Sequence, residues 1–495
     1  MAMTEDLVLA NAAVAAAYLK PLGLEIMQLD HGWQRGDVTG DWVTNERFPH
    51  GLAWLAEELR QRYGLRLGVW ISPTDVAEVS DVFKAHPEWM LKDEAGQPRV
   101  NWRWYWVPNP NCYELDATHP DAYAFVKDTF ARLTAAGVSY YKIDFLASCG
   151  ADHFAQHDAF RTRGWGVLRR AMEAIRAGAG PAAFIRYCQP PPLLAVGLAD
   201  AAYGGNDLLD GGVAGVIPVT RENARALAAS WWVNGRLYRR EVCDLSVRMQ
   251  ADLEEVRQRL ALMALAGCSI SFSDEFQYLP PSRLRLMQQV LPPGGPAMRP
   301  LDLFQRSIPS VWHLHCQQPF GAWEVVGLFN HEDQPQSRSV EFAALGLRSE
   351  ENLAVFEFWE ARFLGVHQRR LDLELPPHSS RVLFIHRLTG EPQVIGTDMH
   401  ILGGWHDLLA ASWDTEKRTL SGRCRRLPGA TGRVFVFIPP GFSPRFEFPL
   451  NPASASLTHL GGDVWMKELE FRQAEVEWAI PFTGAAAPMR PEPGL

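Results

Sequence analysis

Two charged residues, Lys142 and Asp144, stand two positions apart at the end of a short apolar run. In an extended strand, residues i and i+2 lie on the same face, so this ammonium and this carboxylate point the same way. A neighbouring cation keeps a carboxylate ionised, which suits a nucleophile that attacks carbon. The alternative is a buried structural salt bridge, because structural ion pairs also perturb carboxylates.

A carboxylate that attacks carbon needs a second acidic group to handle the leaving group. Retaining glycosidases place their two carboxyl groups about 5–5.5 Å apart. The candidate second group is Asp207, which follows Gly204, Gly205 and Asn206. Glycines let the backbone approach a ligand closely. The alternative is that this segment is only a turn, with Asp210 as a competing carboxylate.

Helical and extended patterns alternate through the first half of the chain, which predicts a parallel sheet wrapped by helices. Thr118 and Asp121 form a variant capping box at the start of one predicted helix. The predicted strands lie at 24–30, 67–71, 139–145, 183–187, 200–204, near 242–245 and at 268–272. The predicted helices lie at 5–20, 52–63, 118–136, 154–177, 221–233 and 250–266.

Every predicted strand ends in a polar residue, as at the active face of a (β/α)8 TIM-type barrel. A doubly wound open sheet would also alternate, but no Gly-rich phosphate loop follows any strand, which disfavours a nucleotide site. The polar strand ends are Asp30, Ser72, Asp144, Arg186, Asp207, Asp244 and Asp274.

The Pro/Gly stretch at 291–296 marks a boundary, beyond which short β-type runs separated by turns predict an antiparallel β-sandwich. The predicted domains are a catalytic (β/α)8 barrel at 1–295, a C-terminal β-sandwich at 296–390 and a further β-rich extension at 391–495. The extension either belongs to the same sandwich or forms a small one of its own.

Amino-acid composition limits the kinds of partner that the protein is expected to bind. The net charge of −9 and the lack of Lys/Arg blocks argue against nucleic acid and anionic membranes, and no apolar run is long enough for a membrane helix. The seven cysteines form no CxxC pair and the first residues lack the basic start of a signal peptide, which together predict a cytoplasmic protein. Eighteen tryptophans favour sugar binding.

Seven short motifs, in one order along residues 5–290, resemble the clan D glycoside hydrolases, in particular the melibiase/α-galactosidase families. Looser similarity continues over 300–390. The motifs are Leu29-Asp30-His31-Gly32-Trp33 with Gly40-Asp41-Trp42, Asn45 with Phe48-Pro49 and Gly51-Leu52, Gly68-Val69-Trp70-Ile71, His86-Pro87-Glu88-Trp89, Tyr113-Glu114-Leu115-Asp116 with Thr118-His119-Pro120, Tyr141-Lys142-Ile143-Asp144-Phe145, and Trp232-Val233-Asn234-Gly235-Arg236-Leu237.

This resemblance implies a retaining exo-acting α-glycosidase that uses no metal and no cofactor and acts on an oligosaccharide or glycoside. Asp144 would be the nucleophile and Asp207 the general acid/base. The implied substrate-binding residues are Asp30, His31, Trp33, Trp42, Trp70, Lys142, Arg186, Cys188 and Asn206. For each tryptophan a core position is an equally good interpretation.

The chain departs from the family pattern at three places. His31 stands where many relatives have a second acidic residue, and a neutral histidine offers one donor and one acceptor. The segment 241–244 differs from the family's motif. The first barrel strand and the large N-terminal sandwich of many relatives have no counterpart, so we expect a truncated start, or a gap that another segment or a subunit of a homo-oligomer fills.

Two alternatives remain open at the level of sequence. One is a glycosyl transferase of the same fold, in which a sugar hydroxyl replaces water as the acceptor. The other is a catalytically degenerate carbohydrate-binding protein, favoured by His31 and the missing strand but disfavoured by the intact Lys142/Asp144 pair and Asp207.

Overall fold

A computed structural model describes residues 3–105, 107–146, 156–158, 165–188, 190–207, 216–242, 244–445 and 457–484. The chain falls into two compact units, which are described separately. Unit 1 comprises Met1–Leu245 and Cys268–Leu279, and unit 2 comprises Ser246–Gly267 and Pro280–Leu495. The division into three domains stays a prediction.

Unit 1 alternates helices and strands as the hydrophobic pattern predicts. Its helices are α1 (Glu5–Tyr18), α2 (Gly51–Glu58), α3 (Asp81–Ala85), α4 (Pro120–Ala135), α5 (Trp165–Ala179) and α6 (Val216–Ala229). Its strands are β1 (Ile26–Leu29), β2 (Arg66–Ile71), β3 (Asp75–Ala77), β4 (Val100–Arg103), β5 (Asn111–Glu114), β6 (Val138–Ile143), β7 (Phe184–Tyr187), β8 (Ala201–Tyr203) and β9 (Arg239–Glu241).

Six strands of unit 1 form one parallel sheet in the order β1-β2-β6-β7-β8-β9. The register places Trp70, Lys142 and Arg186 beside one another on three adjacent strands. Because the strands are parallel, their carboxyl ends share one edge, and the loops that follow β1, β2 and β6 start there. The sheet therefore brings distant parts of the chain to a common edge.

A separate three-stranded antiparallel sheet, in the order β3-β5-β4, lies within the long connection between β2 and β6. Its strands are short and interrupted by polar residues, so the sequence pattern does not predict this sheet. The backbone of Ala77 donates to the Thr39 carbonyl at 3.2 Å, which ties this sheet to the loop after β1. Asp41 strengthens the tie by accepting from the backbone N–H groups of Asp81 and Val82.

Several predicted boundaries are wrong, each for a local reason. His119, not Thr118, caps α4: its Nδ1 accepts from the Asp121 N–H, while the Thr118 hydroxyl donates to Asp116 at 2.6 Å. The strand predicted near 242–245 ends at Glu241. The strand predicted at 268–272 is reduced, in the described chain, to one bridge between Leu245 and Phe272.

Unit 2 contains α7 (Leu253–Leu265), α8 (Pro281–Gln289) and antiparallel sheets. The strands up to residue 387 are β10 (Arg299–Pro300), β11 (Val311–Gln318), β12 (Gly321–Asn330), β13 (Gln336–Glu341), β14 (Leu353–Glu357), β15 (Arg362–His367), β16 (Arg370–Leu375) and β17 (Ser379–Arg387). The later strands are β18 (Gln393–Thr397), β19 (Leu408–Asp414), β20 (Thr419–Arg425), β21 (Thr431–Phe437), β22 (Phe442–Pro444), β23 (Leu457–Gly461), β24 (Val464–Glu470) and β25 (Glu475–Gly484).

Two apolar cores hold these sheets. The sheet β10-β11-β12-β17-β14-β15 and the two-stranded sheet β13-β16 share a cluster that includes Val326, Phe342 and Leu383. The sheets β18-β21-β24-β23 and β19-β20-β25-β22 share a second cluster that includes Val434 and Ile480. β12, β14 and β17 are buried at most of their residues, whereas β11 and β13 alternate buried residues with more exposed ones.

Among the described helices, none combines the length and the apolar character needed to cross a bilayer.

Candidate active site

Asp144 follows β6 directly, at the edge where the parallel strands end. Its backbone N–H donates to the Ile71 carbonyl at 3.0 Å, so the residue is held by the neighbouring strand β2. Its carboxylate accepts two hydrogen bonds, from Trp70 Nε1 to Oδ2 at 3.0 Å and from the Phe145 N–H to Oδ1 at 2.9 Å. The protein therefore fixes both oxygens of this carboxylate.

Burial raises the pKa of Asp144 above the ordinary value of an aspartate. The hydrogen bond from Trp70 and the positive charge of Lys142 oppose that effect of burial. The donors and the cation therefore offset the effect of burial only in part, although the spacing of Lys142 and Asp144 predicted that the cation would keep this carboxylate ionised.

Lys142 forms its direct ion pair with Asp30, not with Asp144. Its Nζ donates to Asp30 Oδ2 at 2.8 Å, although the spacing of Lys142 and Asp144 suggested a direct pair between them. Burial alone would raise the pKa of Asp30, but the charge and hydrogen bond of Lys142 outweigh it, and the pKa lies below the ordinary value. The Asp30 side chain keeps 51% of its surface exposed, so it remains accessible to a ligand.

His31 is held by the loop that follows β1. Its Nε2 lies 3.0 Å from the carbonyl oxygen of Asp37, and its ring centre lies 5.3 Å from those of Trp70 and Trp104. A carbonyl oxygen only accepts, so Nε2 carries the proton of this hydrogen bond. His31 therefore lies beside Asp30 with its ring held in place. It accepts fewer hydrogen bonds than the carboxylate that many relatives have at this position.

The three predicted tryptophans form a packed group. All three are buried, and Trp33 Nε1 donates to the Trp70 carbonyl at 2.8 Å. The ring centres of Trp33 and Trp42 lie 6.2 Å apart, and those of Trp42 and Trp70 lie 6.1 Å apart. Trp33 and Trp42 thus have the features of core residues that support Trp70, whereas Trp70 itself touches Asp144.

Arg186 lies in a buried polar network inside the parallel sheet. Its Nε is 3.2 Å from Glu241 Oε2, and both side chains are almost completely buried. The hydroxyls of Ser269 and Ser271 donate to Glu241, and Arg186 also hydrogen-bonds the side chain of Tyr140. The charge of Arg186 is therefore compensated within the protein, and sequence reasoning, which placed Arg186 near a substrate, missed Glu241 as its partner.

Cys188 connects the two candidate catalytic carboxylates electrostatically. Its backbone N–H donates to the Ile143 carbonyl at 2.8 Å, at the end of β6. Burial raises the pKa of its thiol far above the ordinary value, and the charges of Asp144 and Asp207 raise it further. Both carboxylates therefore lie within electrostatic reach of this one side chain.

Asp207 has a more open setting. Its side chain is exposed and accepts from the Tyr203 hydroxyl at 3.1 Å. Asn206, beside it, is held by α6: its N–H donates to Asn223 at 2.8 Å and its side chain donates to Glu222. Asp210, the competing carboxylate, lies outside the described residues.

The two glycines before Asn206 have an internal packing reason. A Cβ on Gly204 would lie 2.0 Å from the Arg240 guanidinium, and one on Gly205 would lie 2.0 Å from the Asn223 side chain. The predicted approach of this backbone to a ligand is therefore not needed to explain them.

Asp75 is, after Glu241, a second buried acidic residue that sequence reasoning missed. It is completely buried on β3 and accepts from Trp102 Nε1 at 2.8 Å and from the Thr39 hydroxyl at 3.1 Å. Burial raises its pKa to about 7, and the charge of Asp144 adds to the rise. The sequence offers only one indication of its role, namely its place shortly after the end of β2. Many exposed aspartates also follow strands, so this place alone does not single Asp75 out.

No group of three or more His, Cys, Asp or Glu side chains within the described ranges is arranged to hold a metal ion.

Comparison with known proteins shows what the N-terminal part of the chain is similar to. Residues 6–158 match the Melibiase family model, a segment that contains Asp30, Lys142 and Asp144. The α-galactosidase AgaA of Geobacillus stearothermophilus is 33% identical over 130 residues, which cover 25% of this chain and 17% of that protein. The Escherichia coli α-galactosidase is 30% identical over 164 residues, 31% of this chain and 21% of its own length.

A solved structure extends the comparison of folds. A GH27 β-L-arabinopyranosidase from Geobacillus stearothermophilus superimposes with a TM-score of 0.57 over 79% of this chain and 94% of that one, at 17% identity. Together these findings show that the N-terminal part of this chain is similar to the melibiases, in agreement with the resemblance to clan D glycoside hydrolases that the motifs indicated. The relatives that carry this result are α-galactosidases, of whose length the matched segments span about a fifth.

Proposed function

We propose that this protein is a retaining exo-α-glycosidase of α-galactosidase type that releases a terminal α-linked sugar. The observation that carries the proposal is the grip on Asp144, whose two carboxylate oxygens accept from Trp70 and from the Phe145 N–H at the edge of the parallel sheet. The Melibiase match over this segment supports it.

In the proposed reaction, Asp144 attacks the anomeric carbon while Asp207 protonates the departing oxygen. A covalent glycosyl-enzyme forms, and Asp207 then removes a proton from the water that hydrolyses it. The ion pair of Lys142 and Asp30 is suited to bind sugar hydroxyls, because it presents both a donor and a half-exposed acceptor. β6 and β8, which precede Asp144 and Asp207, end at the same edge of one parallel sheet, and this supports the placement of the two carboxylates at one site.

The architecture that we propose for unit 1 is a (β/α)8-type barrel, in which the six-stranded parallel sheet supplies most of the wall. The order of strands along the chain equals their order in the sheet, and the Leu245–Phe272 bridge is parallel, which supports this proposal. A substrate pocket at the carboxyl ends of the strands follows from such a barrel. The homo-oligomer stays a prediction.

The deciding experiment determines the product anomer and uses azide rescue. The wild type is assayed on aryl α-galactosides, α-N-acetylgalactosaminides and β-L-arabinopyranosides, and NMR follows the first anomer released. We expect retention. Azide should restore turnover to Asp144→Gly as a glycosyl azide of inverted configuration, and to Asp207→Gly as one of retained configuration, because azide replaces a different group in each.

Each other outcome refutes part of the proposal. An inverted first product removes the covalent mechanism, and an Asp144→Gly variant as active as the wild type removes the nucleophile assignment. Transfer of the sugar to another sugar in preference to water would favour the transferase. Tight sugar binding without turnover of any glycoside would favour the degenerate binding protein.

A further inference from the structure

Phe145, the residue after the proposed nucleophile, has an unusual backbone. Its φ is +52°, in the left-handed region that residues with a bulky side chain rarely adopt. In this conformation its N–H donates to Asp144 Oδ1 at 2.9 Å. Strained backbone of this kind persists only where the surrounding structure over-determines it.

The ring of Phe145 is packed among three tryptophans. Trp102 stacks on it, with ring centres 5.0 Å apart and planes at 30°. Trp70 and Trp104 contact it edge-on, at 6.3 and 6.0 Å. Among these three rings, Trp102 is the one that stacks face-on on Phe145. This stacking opposes rotation of the Phe145 side chain and so helps to hold the backbone N–H that donates to Asp144.

Trp102 is in turn held by a buried carboxyl group, that of Asp75. Its Nε1 donates to Asp75 Oδ1 at 2.8 Å, and the other carboxyl oxygen of Asp75 accepts from the Thr39 hydroxyl at 3.1 Å. Asp75 has no exposed surface, and β3, which carries it, pairs with β5. A buried carboxyl with both oxygens engaged is a rigid anchor, because loss of either bond leaves a polar atom unsatisfied.

We propose that Trp102, anchored by Asp75, is a positioning residue for the glycosidase reaction: its stacked ring holds Phe145 in the left-handed conformation that orients the Asp144 carboxylate. The inference rests on the proposed function. It assigns a catalytic purpose to the sheet β3-β5-β4, which contributes no group that touches the reacting atoms in this scheme.

The test compares the kcat per active site of the variants. Active sites are counted by trapping the covalent intermediate with a slow fluorinated α-glycoside and measuring the labelled fraction by intact-protein mass spectrometry. Trp102→Ala should lower kcat about 30-fold and change KM by less than about threefold, since a small misplacement of reacting groups affects turnover strongly. Asp75→Ala should resemble it. Asp75→Asn should restore kcat, because its amide oxygen accepts from Trp102 and its NH2 group donates to Thr39.

The matched control is Tyr113→Leu. Tyr113 lies on β5 of the same small sheet and stacks on Phe83 at 4.2 Å, so its loss perturbs the sheet without touching Phe145. It should lower the melting temperature but leave kcat per active site unchanged.

The outcomes separate the two proposals. If the wild type hydrolyses α-glycosides and Trp102→Ala keeps wild-type kcat per active site, this inference fails and the proposed function stands. An equal loss of kcat in Tyr113→Leu also overturns it, because the effect would then be general destabilisation. A wild type that hydrolyses no glycoside refutes the proposed function, and this inference with it.

Discussion

The surroundings of Asp144 and Asp207 differ in how much of their geometry the protein supplies. Asp144 is held at both oxygens, lies in the segment that matches the Melibiase model, and follows a long central strand. Asp207 is exposed, has one described side-chain partner, Tyr203, and lies beyond that segment. A nucleophile must be oriented before the substrate arrives, whereas a general acid must exchange protons with water between turnovers. The contrast is the one expected of those two roles.

The largest expected effect concerns Asp207, the exposed member of the pair. Asp207→Asn should lower kcat/KM for an α-linked oligosaccharide by roughly 10²- to 10⁴-fold, because a poor leaving group needs a proton. For a dinitrophenyl glycoside, which leaves without a proton, the first step should be nearly unaffected and a burst of phenol should appear. Steady-state and stopped-flow assays on the two substrates measure the difference.

The control for Asp207 is Glu222→Gln, which removes the same charge from the neighbouring helix α6 and leaves Asp207 in place. Its dependence on the leaving group should equal that of the wild type. An equal loss on both substrates in Asp207→Asn would instead show that this residue binds sugar and does not transfer the proton.

The second effect concerns the grip on Asp144. Trp70→Phe keeps an aromatic ring but removes the N–H that donates to Oδ2, a hydrogen bond to a charged group worth about 1.5–3 kcal/mol. We expect a loss of about 10- to 100-fold in kcat/KM. Because that donor lowers the pKa of Asp144, its removal should also move the acidic limb of the pH–rate profile to higher pH.

A pH–rate series on Trp70→Phe and on Trp42→Phe checks this expectation. Trp42 packs on Trp70 but does not touch Asp144, so its replacement should leave the acidic limb in place. An unshifted limb in Trp70→Phe would mean that the hydrogen bond does not set the charge state of Asp144.

Sequence reasoning succeeded where a residue's position follows from its own strand. β2 and β6 each contain a short run of mostly apolar residues, so their ends, and with them Trp70, Lys142 and Asp144, were predictable from local pattern. It failed where a partner comes from a distant segment. Glu241 neutralises Arg186 across the sheet, and no local pattern pairs these two residues.

The connection between β2 and β6 shows the same limit in the backbone. β1 and β7 are equally short but carry consecutive apolar residues, whereas β4 and β5 are interrupted by polar ones, so the sheet β3-β5-β4 was missed, and Asp75 with it. The buried carboxyl is recognisable only once Trp102 and Thr39 are seen to enclose it.

The smallest expected effect concerns Asp75, the buried carboxyl whose pKa is raised by the charge of Asp144. Its pKa of about 7 in the folded protein compares with an ordinary value of 3.8, which the unfolded chain should show. Between these values the folded protein keeps a proton that the unfolded chain has lost. Stability should therefore fall as the pH rises from about 4 to about 7, with a slope contribution of at most about 1.4 kcal/mol per pH unit.

Asp75→Asn removes this titration and should flatten that part of the curve, so that the variant is stabilised relative to the wild type most strongly above pH 7. Denaturant midpoints of unfolding at pH 4.5, 5.5, 6.5 and 7.5 measure it, with the exposed Asp128→Asn of α4 as the matched loss of charge. The charged group that faces Asp75 is Asp144, and the Cys112 thiol also hydrogen-bonds it. In an Asp144→Asn background, where that charge is absent, the pKa of Asp75 should be lower and the slope should end at a lower pH. A curve identical in both backgrounds would show that the two carboxyl groups do not sense each other, and the buried anchor would then act on the nucleophile only through Trp102 and Phe145.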